Sequence, residues 1–392
     1  MEMGFSLADN CKLMTTAHTY DAAIIGGGLA GLCLSIQLAR EGHRVILFEK
    51  EKYPFHKVCG EYISFECWNF LEEMGVPLSD WHLPHINNLL VSSPSGKTIK
   101  RRLPLGGFGI SRYKLDAFLA GLARNAGVEI REETKVDNVW FSDAHFHVQY
   151  GTTMCRAKQA CGTFGKRSNI DIKLKRDYIQ KKPGKFNNYI AVKYHIKTDF
   201  PSDLIALHNF ENGYCGLSQV EDEKYCLCYL TTAQNLHQCD NSITQLEQNI
   251  LRRNPYLDKI FGESTFLFPS PVTIAQISFD KKTQLEHHML MTGDAAGMIA
   301  PLCGNGMSMA MHGSKIAFQQ IHLFLQGKIN RHEMETAYQT NWNNTFQKRL
   351  QTGRMVQGLF GRGWVTNYFI QALQPFPFIV DRLIKQTHGE PF

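Results

Sequence analysis

The chain has no C-x-x-C pair, and its eleven cysteines are scattered singly from Cys11 to Cys303. That pattern argues against a zinc site or a disulfide framework and suits free thiols in a reducing compartment. Nor does it contain a run of 18 or more uninterrupted apolar residues, so no stretch reads as a membrane span. Met1 to His18 is polar, carries Glu2 and Asp9, and lacks a basic stretch followed by an apolar one. It does not read as a secretory signal; a loose extension and a cytoplasmic location are expected. Charge of one sign is scarce as well: 42 Lys and Arg stand against 36 Asp and Glu, a net +6 over 392 residues. With no accompanying motif, this balance does not argue for a nucleic-acid partner. At 43% apolar and 20% charged the composition is that of a folded chain with a sizeable core, and it shows no internal repeat.

Against these absences one stretch stands out. Ala22-Ala-Ile-Ile25 is a short apolar run, followed by Gly26, Gly28 and Gly31 in G-x-G-x-x-G spacing. A helix with an apolar stripe is expected to Arg40, stopped at Gly42, and a second apolar strand from Arg44 to Phe48 ends on Glu49. This is a complete strand–helix–strand unit for a dinucleotide. Gly26 permits the tight turn, Gly28 lets a pyrophosphate approach the backbone, and Gly31 lets helix and strand pack closely. The helix N-terminus offers free N–H groups to phosphate. Glu49 accepts from both hydroxyls of an adenosine ribose and disfavours a 2′-phosphate there. Leu29 and Ala30 beside the glycines, and Lys50 next to the acid, complete this group of expected contacts.

A second signature lies far along the chain, in Thr292-Gly-Asp-Ala-Ala-Gly297 and Pro301-Leu-Cys-Gly-Asn-Gly-Met307. A strand ending at Gly293-Asp294 puts the acid at the carboxyl end of a parallel sheet, where ligands bind in this architecture. Pro301, Gly304, Asn305 and Gly306 make a loop opening a helix at about Met307. In a flavin site Asp294 would hold a ribityl hydroxyl, and the helix N-terminus would face the ring where charge gathers on reduction. Between the signatures, residues 76–105 and the stretch from about 182 to 282 read as strands, including a hairpin across Glu221-Asp-Glu223. Gly106 to Arg112 reads as a lead-in to a helix over Leu115 to Asn125. The expected layout is α/β: a Rossmann-like domain from 19–75, 106–180 and 286–330, a sheet-rich substrate domain from 76–105 and 181–285, and C-terminal helices over 331–392.

Together the G-x-G-x-x-G with its strand-end acid, G-D-A-A-G and P-x-x-G-x-G resemble the para-hydroxybenzoate-hydroxylase-type FAD superfamily, in its geranylgeranyl-reductase-like and flavin-dependent-halogenase-like branch. The resemblance runs to about residue 330. It implies non-covalent FAD, an NAD(P)H electron donor, and Arg112 of Ser-Arg-x-x-Leu-Asp as a cofactor contact. The departures are informative. The hydroxylases' D-G-x-x-S-x-x-R is reduced to Cys161-Gly-Thr-Phe-Gly-Lys-Arg167, the reductases' C-G-G becomes Cys59-Gly60-Glu61, and of their Y-x-W-x-F-P only Tyr214 remains. The halogenases' W-x-W-x-I-P is missing, and no lysine occurs between Lys57 and Lys97.

Since a flavin carries the chemistry, the protein need supply only orientation and a proton. Cys59, by its match to the reductase cysteine, is the leading candidate, with Glu61, Tyr62 and Tyr214 as further groups; no metal site is expected, His287-His288 included. The basic run from Arg156 to Lys185 is a solvated face or, through Lys173, Lys175 and Arg176, a docking patch for an anionic partner. Aromatics from Phe360 to Phe378, with flanking cations, suit helix packing or peripheral membrane contact. The function these readings favour is reduction of carbon–carbon double bonds in a small apolar or carrier-tethered substrate. The alternative is an NAD(P)H- and O2-dependent monooxygenase; less favoured are a halogenase and a non-enzymatic prenyl-binding protein.

Overall fold

The computed structural model describes residues 18–180, 188–358, 363–373 and 375–392. The extension before His18, Lys181 to Lys185 of the basic run, and Phe360 lie outside them. The opening motif folds as β1 (Thr19–Ile25), α1 (Leu29–Arg40) and β2 (Val45–Phe48), with Gly42 at φ 80° just past the helix. There follow β3 (Tyr62–Ser64), α2 (Trp68–Glu73), β4 (His85–Ser92), β5 (Thr98–Gly109) and α3 (Arg112–Asn125). Next come β6 (Glu129–Arg131), β7 (Asn138–Ser142), β8 (His145–Tyr150), β9 (Thr153–Gly162), α4 (Asn169–Lys173) and α5 (Asp177–Gln180).

The middle of the chain supplies β10 (Tyr189–Lys197), β11 (Leu204–Phe210), β12 (Gly213–Gln219) and β13 (Tyr225–Thr232). Helices α6 (Ala233–His237), α7 (Ile243–Asn249) and α8 (Pro255–Glu263) precede β14 (Thr265–Phe266) and β15 (Val272–Ile277). The remainder is β16 (Leu285–Glu286), β17 (Met289–Met291), α9 (Gly306–Leu325), α10 (Arg331–Gln357), α11 (Gly363–Leu373) and α12 (Pro377–Thr387).

Among the described residues these strands form two sheets, of eight and nine strands. In the first, β17, β9, β1, β2 and β6 run parallel in that order, and β7 and β8 extend the sheet antiparallel from β9. β2 and β17 are buried at every residue, as parallel strands covered on both faces are. α1 lies against α3 and α9, and nine of its 12 residues are buried. Fully buried Leu32, Leu34, Ile36 and Leu38 each contribute roughly 1.5–3 kcal/mol.

The second sheet, in the order β14-β10-β13-β12-β11-β4-β5-β3, is antiparallel except where β4 meets β11. Its faces alternate along β10. Ile190, Val192, Tyr194 and Ile196 pack outward among residues of α7 and α8, while Tyr189 and Ala191 join Leu207, Tyr214 and Leu230 on the inner face. The expected break at 105/106 falls inside β5, which continues through Gly109 to pair with β3. The glycines read as a lead-in are strand because the backbones crowd here: a Cβ at Gly109 would stand 1.7 Å from the Gln219 carbonyl oxygen. α3 then begins at Arg112, earlier than Leu115, because the Ser111 hydroxyl caps it by accepting from the Lys114 N–H at 3.1 Å.

α10 presents Met334, Tyr338, Trp342, Phe346 and Leu350 to the core on one stripe. α11 and α12 pack on the second sheet through Ile370 on Ile99 and Ile384 beside Tyr62, leaving Tyr368, Phe376 and Phe378 exposed. No helix among the described residues is long and apolar enough to cross a membrane, and the cysteines among them are free thiols.

Candidate functional site

The carboxyl ends of β1 and β17, the start of α1 and the inner face of the second sheet enclose one cavity of about 940 Å³. Gly26, Gly28, Leu29, Ala30, Glu49 and Lys50 line it at one end, and Gly293, Asp294, Pro301, Gly304, Gly306 and Met307 at another. The two distant signatures therefore share a single groove. Gly26 sits at φ 115°, and a Cβ on Gly31 would stand 2.0 Å from the Gly26 carbonyl oxygen, so helix and turn touch backbone to backbone. Neither α1 nor α9 has a side chain capping its N-terminus, which leaves N–H groups at the mouths of both helices.

The acids at the two ends are held differently. Glu49 accepts from the Gly27 N–H at 3.1 Å, the Lys50 N–H at 2.9 Å and the Glu51 N–H at 3.2 Å, with Lys57 Nζ 3.5 Å away. Asp294 lines the cavity with no hydrogen bond to its carboxylate from the described residues, while its backbone oxygen accepts from Lys282 Nζ at 2.8 Å. Arg112 is clamped by Asp116 at 2.7 Å through both Nε and Nη2, which leaves its guanidinium beside Gly28. A glycine cradle, two uncapped helix N-termini, an unengaged carboxylate and an arginine along one groove fit a dinucleotide with a pyrophosphate and a polyhydroxyl chain. Asn305 is the exception among the expected contacts. It is fully buried, and its side chain donates to the Thr387 carbonyl of α12 at 2.5 Å, so only its backbone is left for the groove.

Half-buried Cys59 is in the cavity wall with Gly60 and Glu61. Tyr214 is in the wall too, buried, its hydroxyl against the Leu302 backbone without a well-formed hydrogen bond. Glu61 is no free proton donor. Fully buried, it pairs with the buried Lys193 ammonium, receives a hydrogen bond from His195 Nε2 at 2.6 Å, and accepts from the Arg112 N–H at 2.7 Å. Burial alone would raise its pKa; Lys193 and His195 outweigh that and bring it down to about 2, so Glu61 is a carboxylate at neutral pH. Glu61, His195 and Cys226 offer ligand atoms within 4.8 Å of one another. A cation is already there, however, in the Lys193 ammonium. Burial also pushes the Cys226 thiol pKa up, and that thiol donates to the Cys59 carbonyl at 3.2 Å.

The basic run does not form one patch. Arg176 is buried and donates to Asp171 at 2.8 Å, Glu286 at 3.0 Å and the Ala295 carbonyl at 3.0 Å, so it braces the Asp294 loop from behind and cannot meet a docking partner. Lys282 supports it, joining the Asp294 carbonyl to that of Lys166 at 3.1 Å, and burial brings its pKa down to about 8. Lys166 in turn donates to the Val58 carbonyl at 2.9 Å. Lys282, Lys193 and His195 went unread in the sequence. The one local signal was β10 itself, where Lys193 and His195 occupy alternate positions of an otherwise apolar strand.

A family model described as an FAD binding domain matches residues 21–56. Conditioned medium factor receptor 1 of Dictyostelium discoideum is 27% identical over 358 residues, 83% of this chain and 68% of that protein. Digeranylgeranylglycerophospholipid reductase of Methanococcus vannielii is 20% identical over 371 residues, 85% of this chain and 84% of that one. Among solved structures, a flavin-dependent brominase superposes with a TM-score of 0.76 at 18% identity, covering 94% of this chain and 93% of its own. A geranylgeranyl bacteriochlorophyll reductase-like protein from Thermoplasma acidophilum gives 0.76 at 17% identity, covering 94% and 99%. Reductase and halogenase folds lie equally near. The groove and the matched segment at residues 21–56 support FAD binding, on a fold similar to that of the reductase-like protein and the flavin-dependent brominase.

Proposed function

We propose that the chain reduces carbon–carbon double bonds of an apolar, isoprenoid-like substrate, with NAD(P)H as electron donor. The observation that carries this reading is the wall of the cavity beyond the Gly293–Met307 end. Ala191, Ile205, Leu207, Leu230, Ile274, Ile277 and Met298 form it, so the groove continues as an apolar chamber. FAD, when bound, supplies the hydride. The chain's own residues do the rest. Gly26, Gly28 and the α1 N-terminus would receive the pyrophosphate beside Arg112, Glu49 would take the ribose, and Asp294 would hold the ribityl chain. The α9 N-terminus would stabilise the negative charge of a reduced flavin, and the chamber would exclude water and hold the alkene. Cys59, in the wall of the same cavity, would deliver a proton to the second carbon. Support for a reductase over a halogenase comes from Cys59-Gly60 and from the missing tryptophan motif and lysine.

The test is anaerobic turnover of geranylgeraniol with NADPH and with NADH, products read by mass spectrometry. Saturated product formed without oxygen supports the reading. A product carrying a new oxygen atom, formed only in air, overturns it in favour of the monooxygenase.

A further inference from the structure

The Cys59-Gly60-Glu61 turn is gripped from the second sheet at each of its residues. Cys226 of β13 donates to the Cys59 carbonyl at 3.2 Å, Ser218 of β12 donates to the Gly60 carbonyl at 3.4 Å, and Lys193 and His195 of β10 take the two oxygens of Glu61. Register puts these groups in one row: His195 lies opposite Cys226, and Cys226 opposite Ser218. From the other side the Arg112 N–H reaches Glu61 at 2.7 Å and the Ile110 N–H reaches the Glu61 carbonyl at 3.0 Å. Glu61 itself stands at φ 57°, a left-handed conformation that a side chain disfavours and that its surroundings must enforce. A residue in that conformation, fully buried and charged, is retained because the ion pair holds it.

We infer that Glu61 and Lys193 are positioning residues: their buried ion pair ties the substrate-side sheet to the Cys59 turn and to the start of the Arg112 helix. The inference rests on the flavin reading of the cavity and is independent of the reaction run there. Lys193, Arg112, Cys226 and Cys228 interact electrostatically with Cys59, and Glu61 is the anion paired with Lys193. A cation among them favours the thiolate and an anion opposes it. A merely structural pair would not move the two single variants in opposite directions.

The experiment follows alkylation of Cys59 by iodoacetamide in the FAD-loaded protein at neutral pH, read by mass spectrometry. Lys193→Met is expected to slow it about 5-fold, Glu61→Gln to speed it about 5-fold, and the double variant to fall between them. Lys193→Arg, which keeps the charge, should stay within about 2-fold of the unaltered protein. Shifts in the same direction, or none, overturn the inference. Should a single variant fail to fold, the double variant, which leaves no charge unpaired, is read by hydrogen exchange at residues 58–61. Exchange about 10-fold faster there supports the tie, and unchanged protection overturns it.

Discussion

Two ends of one sheet face behave as different materials. At one end Ala191, Leu207, Tyr214 and Leu230 form an apolar wall around the cavity. A few residues further along the same strands, Lys193, His195, Ser218 and Cys226 face the same way and are wholly engaged in holding one turn. The first end is stabilised by removing apolar surface from water, which is non-directional and tolerates many substrates. The second is held by directional bonds in low dielectric, where a full set of partners fixes geometry and a missing partner is costly. One face thus carries two kinds of packing: adaptable along the cavity wall, rigid where it grips the Cys59–Glu61 turn.

Removing one charge at the rigid end is expected to have the largest effect. Lys193→Met strands the buried Glu61 carboxylate and should cost about 3–5 kcal/mol in guanidinium unfolding, against about 2–4 kcal/mol for Leu230→Ala at the apolar end. A reversed order would break the comparison. The same pair has a pH signature. Glu61 has a folded-state pKa of about 2, below its ordinary 4.5, so it binds protons more weakly folded than unfolded. Its contribution, on the order of 3 kcal/mol, should be complete above about pH 4.5 and disappear as pH falls toward 2. Unfolding midpoints measured across that window should show the loss, and the double variant Glu61→Gln/Lys193→Met should flatten it.

The apolar end answers to volume. Leu207→Trp should raise the KM for an isoprenoid alcohol roughly 10–100-fold while leaving FAD affinity unchanged, because the ring would fill the chamber and not the glycine groove. A change in FAD affinity of similar size would mean that the two compartments are not separate. The smallest expected effect sharpens the contrast between two acids of the cavity, Glu61 with its charge consumed and Asp294 with its charge open. Asp294→Ala should weaken FAD binding about 10-fold in a fluorescence titration, the value of one charged hydrogen bond, with little change in the stability of the FAD-free protein.

The motifs that could be read directly are those whose parts are neighbours in the chain. Gly26, Gly28, Gly31 and Glu49 lie within one strand–helix–strand unit, and Asp294 to Met307 within one strand–loop–helix, so local spacing carried their geometry. Apart from the start of α3, set by its own Ser111 cap, the misreadings involve distant partners. Asn305 turns away from the groove to a carbonyl 82 residues on, and Arg176 is drawn inward by Ala295, 119 residues away. Gly107 to Gly109 is strand because it pairs with Tyr62 to Ser64, more than 40 residues earlier, with Gln219 pressed against Gly109, which no loop-like glycine content announces.

By itself, then, the amino-acid order determined the glycine turn before α1, the loop that opens α9 and the two-sheet plan, since each depends on periodicity and on backbone freedom at particular glycines. Tertiary structure alone decided that Glu61 is a bound carboxylate and not a proton donor. Its charge state depends on Lys193 and His195, 132 and 134 residues further along. Desolvation and ion pairing act through space, and a linear pattern holds no record of which cation will arrive beside which acid.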